Sequence, residues 1–205
     1  MTAAFYKEAF SVSAEVVSIG RLALPSGSIV ACDPFFCSSA LPFRREVPPG
    51  TYEVQLRLVD LPGAGQRVAL ARIAIDPAAE PAAIEPARTY LPNAMGFSVD
   101  SGLGSFMDAS AIEVFDGIFR NFYANSPQGN YYDDVLAAEL KRQSVPSTAA
   151  ATEGNWAIHE LPPSDLNVAI FASGIGDGTY GCFWVLDRSN VIVSLFADFG
   201  IVAHL

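Results

Sequence analysis

The stretch Thr51-Tyr-Glu-Val-Gln-Leu-Arg-Leu58 decides the fold class. Tyr52, Val54, Leu56 and Leu58 alternate with Thr51, Glu53, Gln55 and Arg57. A period of two places one set on a core and the other in water, which is the mark of a half-buried strand. Leu61-Pro-Gly-Ala-Gly65 then breaks the chain, and Arg67–Ile75 resumes an apolar run. The pair predicts an antiparallel hairpin with a longer loop.

Working outward toward the N-terminus, Ser28–Cys32 follows Pro25-Ser-Gly27 and reads as another short strand. Pro42, Pro48 and Pro49 surround Arg44 and Arg45, which predicts an exposed loop carrying two positive charges. Toward the C-terminus, Asp76-Pro-Ala-Ala-Glu-Pro-Ala-Ala-Ile-Glu-Pro86 is a compositional break. Proline there opposes both helix continuation and ladder bonding. Residues 76–92 are read as a surface crossover within one domain, 1–205, in preference to a linker between two.

The middle of the chain is helical in pattern. Ser110-Ala-Ile-Glu113 has the spacing of a capping box. Ile112, Phe115, Phe119 and Phe122 follow at helical intervals as one apolar stripe, with Ile118 alongside. A second helix is predicted over Tyr132–Gln143, with Val135, Leu136 and Leu140 inward and Pro146 as its stop. Residues 144–155 read as a loop rich in small residues. The last quarter reads as an antiparallel meander: Asn167–Ala172, the connection 173–178, Tyr180–Leu186, the turn 187–190, and Val191–Phe196. The expected class is therefore α+β, mainly antiparallel sheet, with one or two central helices.

Composition narrows the function classes. The net charge is −10, from 12 basic and 22 acidic residues. Residues 1–75 carry a net +1, residues 76–145 a net −6 and residues 146–205 a net −5. Nucleic-acid binding needs clustered Lys and Arg to displace counterions, so no nucleic acid is expected as a partner. The same field repels anionic lipid headgroups, and no apolar run reaches the ~20 residues of a membrane span. A basic protein partner would be attracted. Cys32, Cys37 and Cys182 are odd in number and unpaired in spacing, so buried free thiols in a reducing compartment are expected. The opening residues lack the apolar core of a secretory signal, which points to a cytoplasmic protein of bacterial style. An apolar content of 51% leaves homo-oligomerisation open.

Two segments hold the residues with chemical potential. Phe97-Ser-Val-Asp-Ser-Gly-Leu-Gly-Ser-Phe-Met-Asp108 contains Asp100, Gly102, Gly104, Ser105 and Asp108. Ser173-Gly-Ile-Gly-Asp-Gly-Thr-Tyr180 contains Gly176, Asp177, Gly178 and Tyr180. Hard cations want several carboxylate oxygens, which Asp100, Asp108 and Asp177 would supply together. Yet Asp beside Gly is also what a tight turn requires, and Asp108 is placed to cap the following helix. No metal or cofactor is therefore expected. Gly102-x-Gly104 lacks the third glycine of a dinucleotide fingerprint and the Gly-Lys-Ser/Thr of a phosphate loop. Only His159 and His204 are present, and no Gly-x-Ser-x-Gly elbow occurs. A Ser105–His159 dyad is the one formal route to nucleophilic catalysis.

These two segments resemble a bacterial family known only as domain of unknown function 4241. Asn167-Val-Ala-Ile-Phe171, Asp198-Phe199, Ser26-Gly-Ser-Ile-Val-Ala-Cys-Asp-Pro34 and Pro49-Gly-Thr-Tyr-Glu-Val54 add to the likeness, which spans residues 25–200. Two positions depart from the family pattern. Ser105 stands where the pattern has Cys, and Ile175 where it has Trp. A cysteine nucleophile would thus have no counterpart at 105. The resemblance implies no activity. The expected function is a non-catalytic binding protein, of immunity or antitoxin type, covering a basic protein. The alternative is a divalent-metal hydrolase or phosphate-handling enzyme built on the three aspartates.

Overall fold

The computed structural model describes residues 1–11, 13–91, 96–144 and 155–202. The predicted hairpin forms from β3 (Gly50–Leu61) and β4 (Gly65–Ala74), paired from Glu53↔Ala74 to Leu61↔Gly65. Val54, Leu56 and Leu58 point into the core, as their alternation requires. Ahead of them lie α1 (Ala3–Ala9), β1 (Val16–Leu24) and β2 (Ile29–Cys32). Behind them come β5 (Ala83–Pro86), β6 (Phe97–Val99), β7 (Leu103–Asp108) and α2 (Ala111–Asn125). A π-turn over Tyr132–Leu136 leads into α3 (Ala137–Gln143), and the chain ends with β8 (Trp156–Glu160), β9 (Asn167–Ala172), β10 (Gly178–Leu186) and β11 (Ile192–Asp198).

The strands form two antiparallel sheets, as the α+β reading expects. One runs β1-β3-β4-β11-β10-β5, with β6 also on β10; the other runs β2-β7-β9-β8. Their facing sides share one core, in which Leu22, Leu56, Trp184 and Leu195 meet Phe106, Ala169 and Phe171. The outer side of the smaller sheet is covered by α2 and α3: Phe115, Phe119, Leu136 and Leu140 pack on Val30, Met107, Val168 and Ile170. Each fully buried phenylalanine there contributes on the order of 2 kcal/mol of transfer free energy. The outer side of the larger sheet carries α1, whose Tyr6 and Ala9 sit on Leu70 and Phe196. The layers thus run helix, sheet, sheet, helices. Among the described residues no helix is long and apolar enough to cross a membrane.

Three local expectations are corrected. The C-terminal strands are not one continuous meander. β9 pairs with β7 and β8, whereas β10 pairs with β11, β5 and β6, so residues 173–177 cross from one sheet to the other. Asn167–Phe171 is buried on both faces, and an all-apolar run carries no period that would say which sheet it joins. Ser110 and Glu113 form no capping box. Ser110 itself takes helical angles (φ −69°, ψ −17°) and its hydroxyl donates to Asp108 Oδ1 at 2.6 Å. The crossover is not free of ladder bonds either: residues 83–86 pair with β10 as an edge strand, where proline is tolerated. Pro146, the expected helix stop, lies outside the described residues, as does nearly all of the 144–155 loop.

Side-chain amides close two sheet edges. Asn167 accepts the Ala23 N–H at Oδ1 (3.0 Å) and donates to the Arg21 carbonyl (3.1 Å), standing in for a strand beside β1. Gln143 does the same for β8 through the N–H and C=O of Ile158 (2.8 and 3.1 Å). Unpaired edges invite intermolecular pairing, and these contacts remove part of each.

Candidate functional site

The two glycine–aspartate segments are brought together at one end of the sandwich. β6 pairs with the start of β10, Gly178 standing opposite Val99. The Ser173 N–H donates to the Gly102 carbonyl at 3.0 Å. The 173–178 corner is held from within. Ser173 Oγ donates to the Gly176 carbonyl (2.9 Å), and the Tyr180 hydroxyl donates to the carbonyls of Gly176 (2.6 Å) and Ser173 (3.1 Å). Gly176 sits at φ +120°, where a side chain would be strained. Burial pushes the Tyr180 hydroxyl above its ordinary pKa and the charge of Asp177 adds to this, against the hydrogen bond to Ser173. Tyr180 therefore stays a protonated donor. The corner projects Ile175, 75% exposed, with Asp177 beside it in solvent.

Asp100 joins this end through a buried carboxylate that lies outside both motif segments. Asp33, 2% exposed, accepts the N–H groups of Asp100 (2.9 Å) and Ser101 (2.8 Å) on Oδ2, and that of Phe35 (3.0 Å) on Oδ1. It caps the 3-10 turn Pro34–Ser39 and ties the Asp100 corner to β2. The Asp-Pro step at 33–34 is a readable cap signal, since proline suits the first position of a helical turn. The side chain of Asp100 stays exposed.

Asp108 is elsewhere. It closes the far end of β7, six residues and roughly 17 Å from the Asp100 corner by strand rise. It is wholly buried and accepts from Ser26 N (3.0 Å), Ser26 Oγ (2.8 Å), Ser110 N (2.9 Å) and Ser110 Oγ (2.6 Å). The structure thus joins Asp100 to Asp177 and separates both from Asp108. Among the described residues no three His, Cys, Asp or Glu side chains converge as a metal cage. Gly104 lies between them on β7 for a packing reason: a Cβ there would stand 2.9 Å from the Phe171 ring and 3.1 Å from Phe97.

Ser105 and His159 do not form a dyad. Both lie in the smaller sheet, but β9 intervenes, and the strand spacing sets them on the order of 10 Å apart. Ser105, fully buried, donates to the Cys32 carbonyl at 2.8 Å. His159 Nδ1 is 2.5 Å from Glu139 Oε2, and Nε2 is 2.9 Å from the Tyr131 hydroxyl. In the neutral imidazole the carboxylate fixes the proton on Nδ1, so Nε2 accepts from Tyr131. Burial, and then the Glu139 charge, push the Tyr131 hydroxyl up to about 12. This network pins α3 to β8 beneath Phe115 and Phe119. No spacing rule links residues 131, 139 and 159, so the network leaves no local pattern in the sequence.

Cys32, next to Ser105, is no nucleophile at neutral pH: burial pushes its thiol up to about 12, and that of Cys37 to about 11. Beside Cys32 and Asp33 opens a cleft of about 420 Å³ between the 3-10 turn, residues 89–91 and β6. Phe36 (54% exposed), Leu41 and Leu91 form its lips, and Asp100 stands on its rim. A surface therefore runs from a cleft of mixed polarity with apolar lips, past Asp100, to Asp177 and Ile175.

A family model described as a protein of unknown function, DUF4241, matches residues 22–197. The chain belongs to this family. No curated protein and no solved structure matches it. The DUF4241 match takes in both corners, the Asp33 tie and the Cys32–Ser105 contact, and leaves out α1 and Asp198.

Proposed function

We propose that this protein is a non-catalytic binding module that engages a basic protein through the end of the sandwich bearing Asp100, Ile175 and Asp177. One observation carries the reading: the 173–178 corner is locked by its own hydrogen bonds, yet presents its apolar and acidic side chains unpaired to water. Asp177 accepts no hydrogen bond among the described residues, while Asp33 and Asp108 are each bound by three or more donors. A rigid apolar tip flanked by carboxylates suits a contact surface, because little conformational entropy is lost on docking. Phe36, Leu41 and Leu91 at the lips of the adjoining cleft add exposed apolar area.

Charge supports the class of partner. With a net −10, encounter with a cationic protein is accelerated, and the acceleration falls with ionic strength. Covering such a partner is the behaviour expected of an immunity- or antitoxin-type protein.

The test is affinity capture from the native host, with wild type and Ile175→Asp in parallel at 50 mM and 500 mM salt. The reading expects one basic protein held by wild type at low salt, released at high salt and missed by the variant. Identical retention by both forms at both salt concentrations would end it.

A further inference from the structure

A second charged surface lies near the other end of β10, about seven residues and on the order of 20 Å from the acidic tip by strand rise. There the chain gathers three of its 12 basic residues around one concavity of about 310 Å³, lined by Arg44, Arg45, Arg88, Glu85, Pro86 and Trp184. Their proximity is built into the backbone. The Arg44 N–H donates to the Arg88 carbonyl at 2.8 Å, and Phe43 bridges Thr89 beside them. The side chains add further fixing: Arg44 Cζ sits 5.8 Å over the Tyr90 ring, and Arg45 Nε lies 3.0 Å from Glu85 Oε1.

The charge balance at this spot is unusual for the molecule. Among the described residues only the carboxylate of Glu85 is ion-paired with any of the three guanidinium groups. Arg44 and Arg88 make no ion pair among the described residues. Holding like charges side by side costs free energy, which an anion seated between them would offset. Trp184 and Pro86 supply an apolar wall, which strengthens a charge-assisted hydrogen bond relative to open water. Guanidinium forks match tetrahedral oxyanions, and two arginines without a carboxylate partner among the described residues, lining one hollow, match a doubly charged one.

We propose that this concavity binds a phosphate dianion, free or as a monoester, with Arg44 and Arg88 as its primary donors and Arg45, tethered by Glu85, as a third. The site is distinct from the acidic tip and independent of the partner proposed there.

Calorimetric titration with sodium phosphate, with O-phosphoserine and with sodium chloride, all at one fixed ionic strength, tests the assignment. The expected result is a saturable isotherm for phosphate and phosphoserine and none for chloride. Tighter binding of phosphoserine assigns the site to monoesters, and equal binding assigns it to the free ion. Each of Arg44→Gln and Arg88→Gln should weaken phosphate by roughly tenfold, the value of one lost charge-assisted hydrogen bond. Glu85→Gln, which removes the nearby negative charge, should tighten it severalfold. All three side chains are at the surface, and unchanged circular dichroism checks the fold of each variant. Equal heats for phosphate and chloride, or wild-type affinity in both arginine variants, would overturn the proposal.

Discussion

Asp108 and Asp177 each lie in one of the two glycine- and serine-bearing segments, and the molecule uses them in opposite ways. Asp108 is fully buried and bound by the N–H and hydroxyl groups of both Ser26 and Ser110. Asp177 is exposed, and the corner that carries it is held by Ser173 and Tyr180 instead. In the first case the carboxylate organises the backbone. In the second the backbone is organised without it, and the carboxylate is left to face water. A carboxylate's role follows from how many of its lone pairs the protein already occupies.

The largest effect expected from this contrast is at Asp108. Asp108→Ala takes the shared acceptor from two hydroxyls and two N–H groups; Ser26 and Ser110 are themselves exposed, so water replaces part of the loss, and the variant should cost about 2–3 kcal/mol in urea unfolding. Gly104→Ala, between the two corners, pushes a methyl group into Phe171 and Phe97 and should cost roughly 1–3 kcal/mol by overpacking. Tyr180→Phe removes both hydroxyl bonds that lock the tip. It should cost about 1–2 kcal/mol and raise amide exchange at residues 174–178 without altering the far end of β7.

A smaller, pH-dependent effect is expected at Asp198, near the base of the tip. Burial holds its carboxyl above the ordinary value of 3.8, opposed by the Gly200 N–H. A folded pKa above the unfolded one means that this group favours folding fully below 3.8 and that the benefit is lost as pH rises through the folded pKa. Asp198→Asn keeps the acceptor for Gly200 and drops the charge. Its Tm should exceed that of wild type at pH 7, with the gap closing as the pH falls below 3.8.

The strand content was legible wherever one face of a strand is wet. Tyr52 to Leu58 alternates because β3 lies in the larger sheet, half covered. β9 does not alternate because the smaller sheet is buried on both sides, and with the period gone the assignment of β9 and β10 to different sheets was hidden. α1 and β1 carry no readable period: α1 is about two turns long, and the bulge between Ser18 and Gly20 interrupts the alternation of β1. At the site, the motif reading named both corners of the tip and grouped them with Asp108. Asp108 belongs apart because a six-residue strand separates it from Asp100, and spacing alone does not reveal which end of a strand faces which partner. Asp33 carries a visible cap signature, but its role in holding Asp100 is a long-range contact that no local pattern encodes. Arg44 and Arg88 are 44 positions apart in the chain and meet only through one backbone pairing.

The proposed function requires the tip to recognise a partner while contributing little to folding. The most direct measurement pairs the unfolding midpoint with partner capture for Ile175→Ala/Asp177→Ala beside wild type. The expected result is a midpoint within about 0.5 kcal/mol of wild type, as for exposed positions in general, together with loss of the captured protein. A double variant that unfolds much more easily, or one that still captures the same protein as strongly, would contradict it.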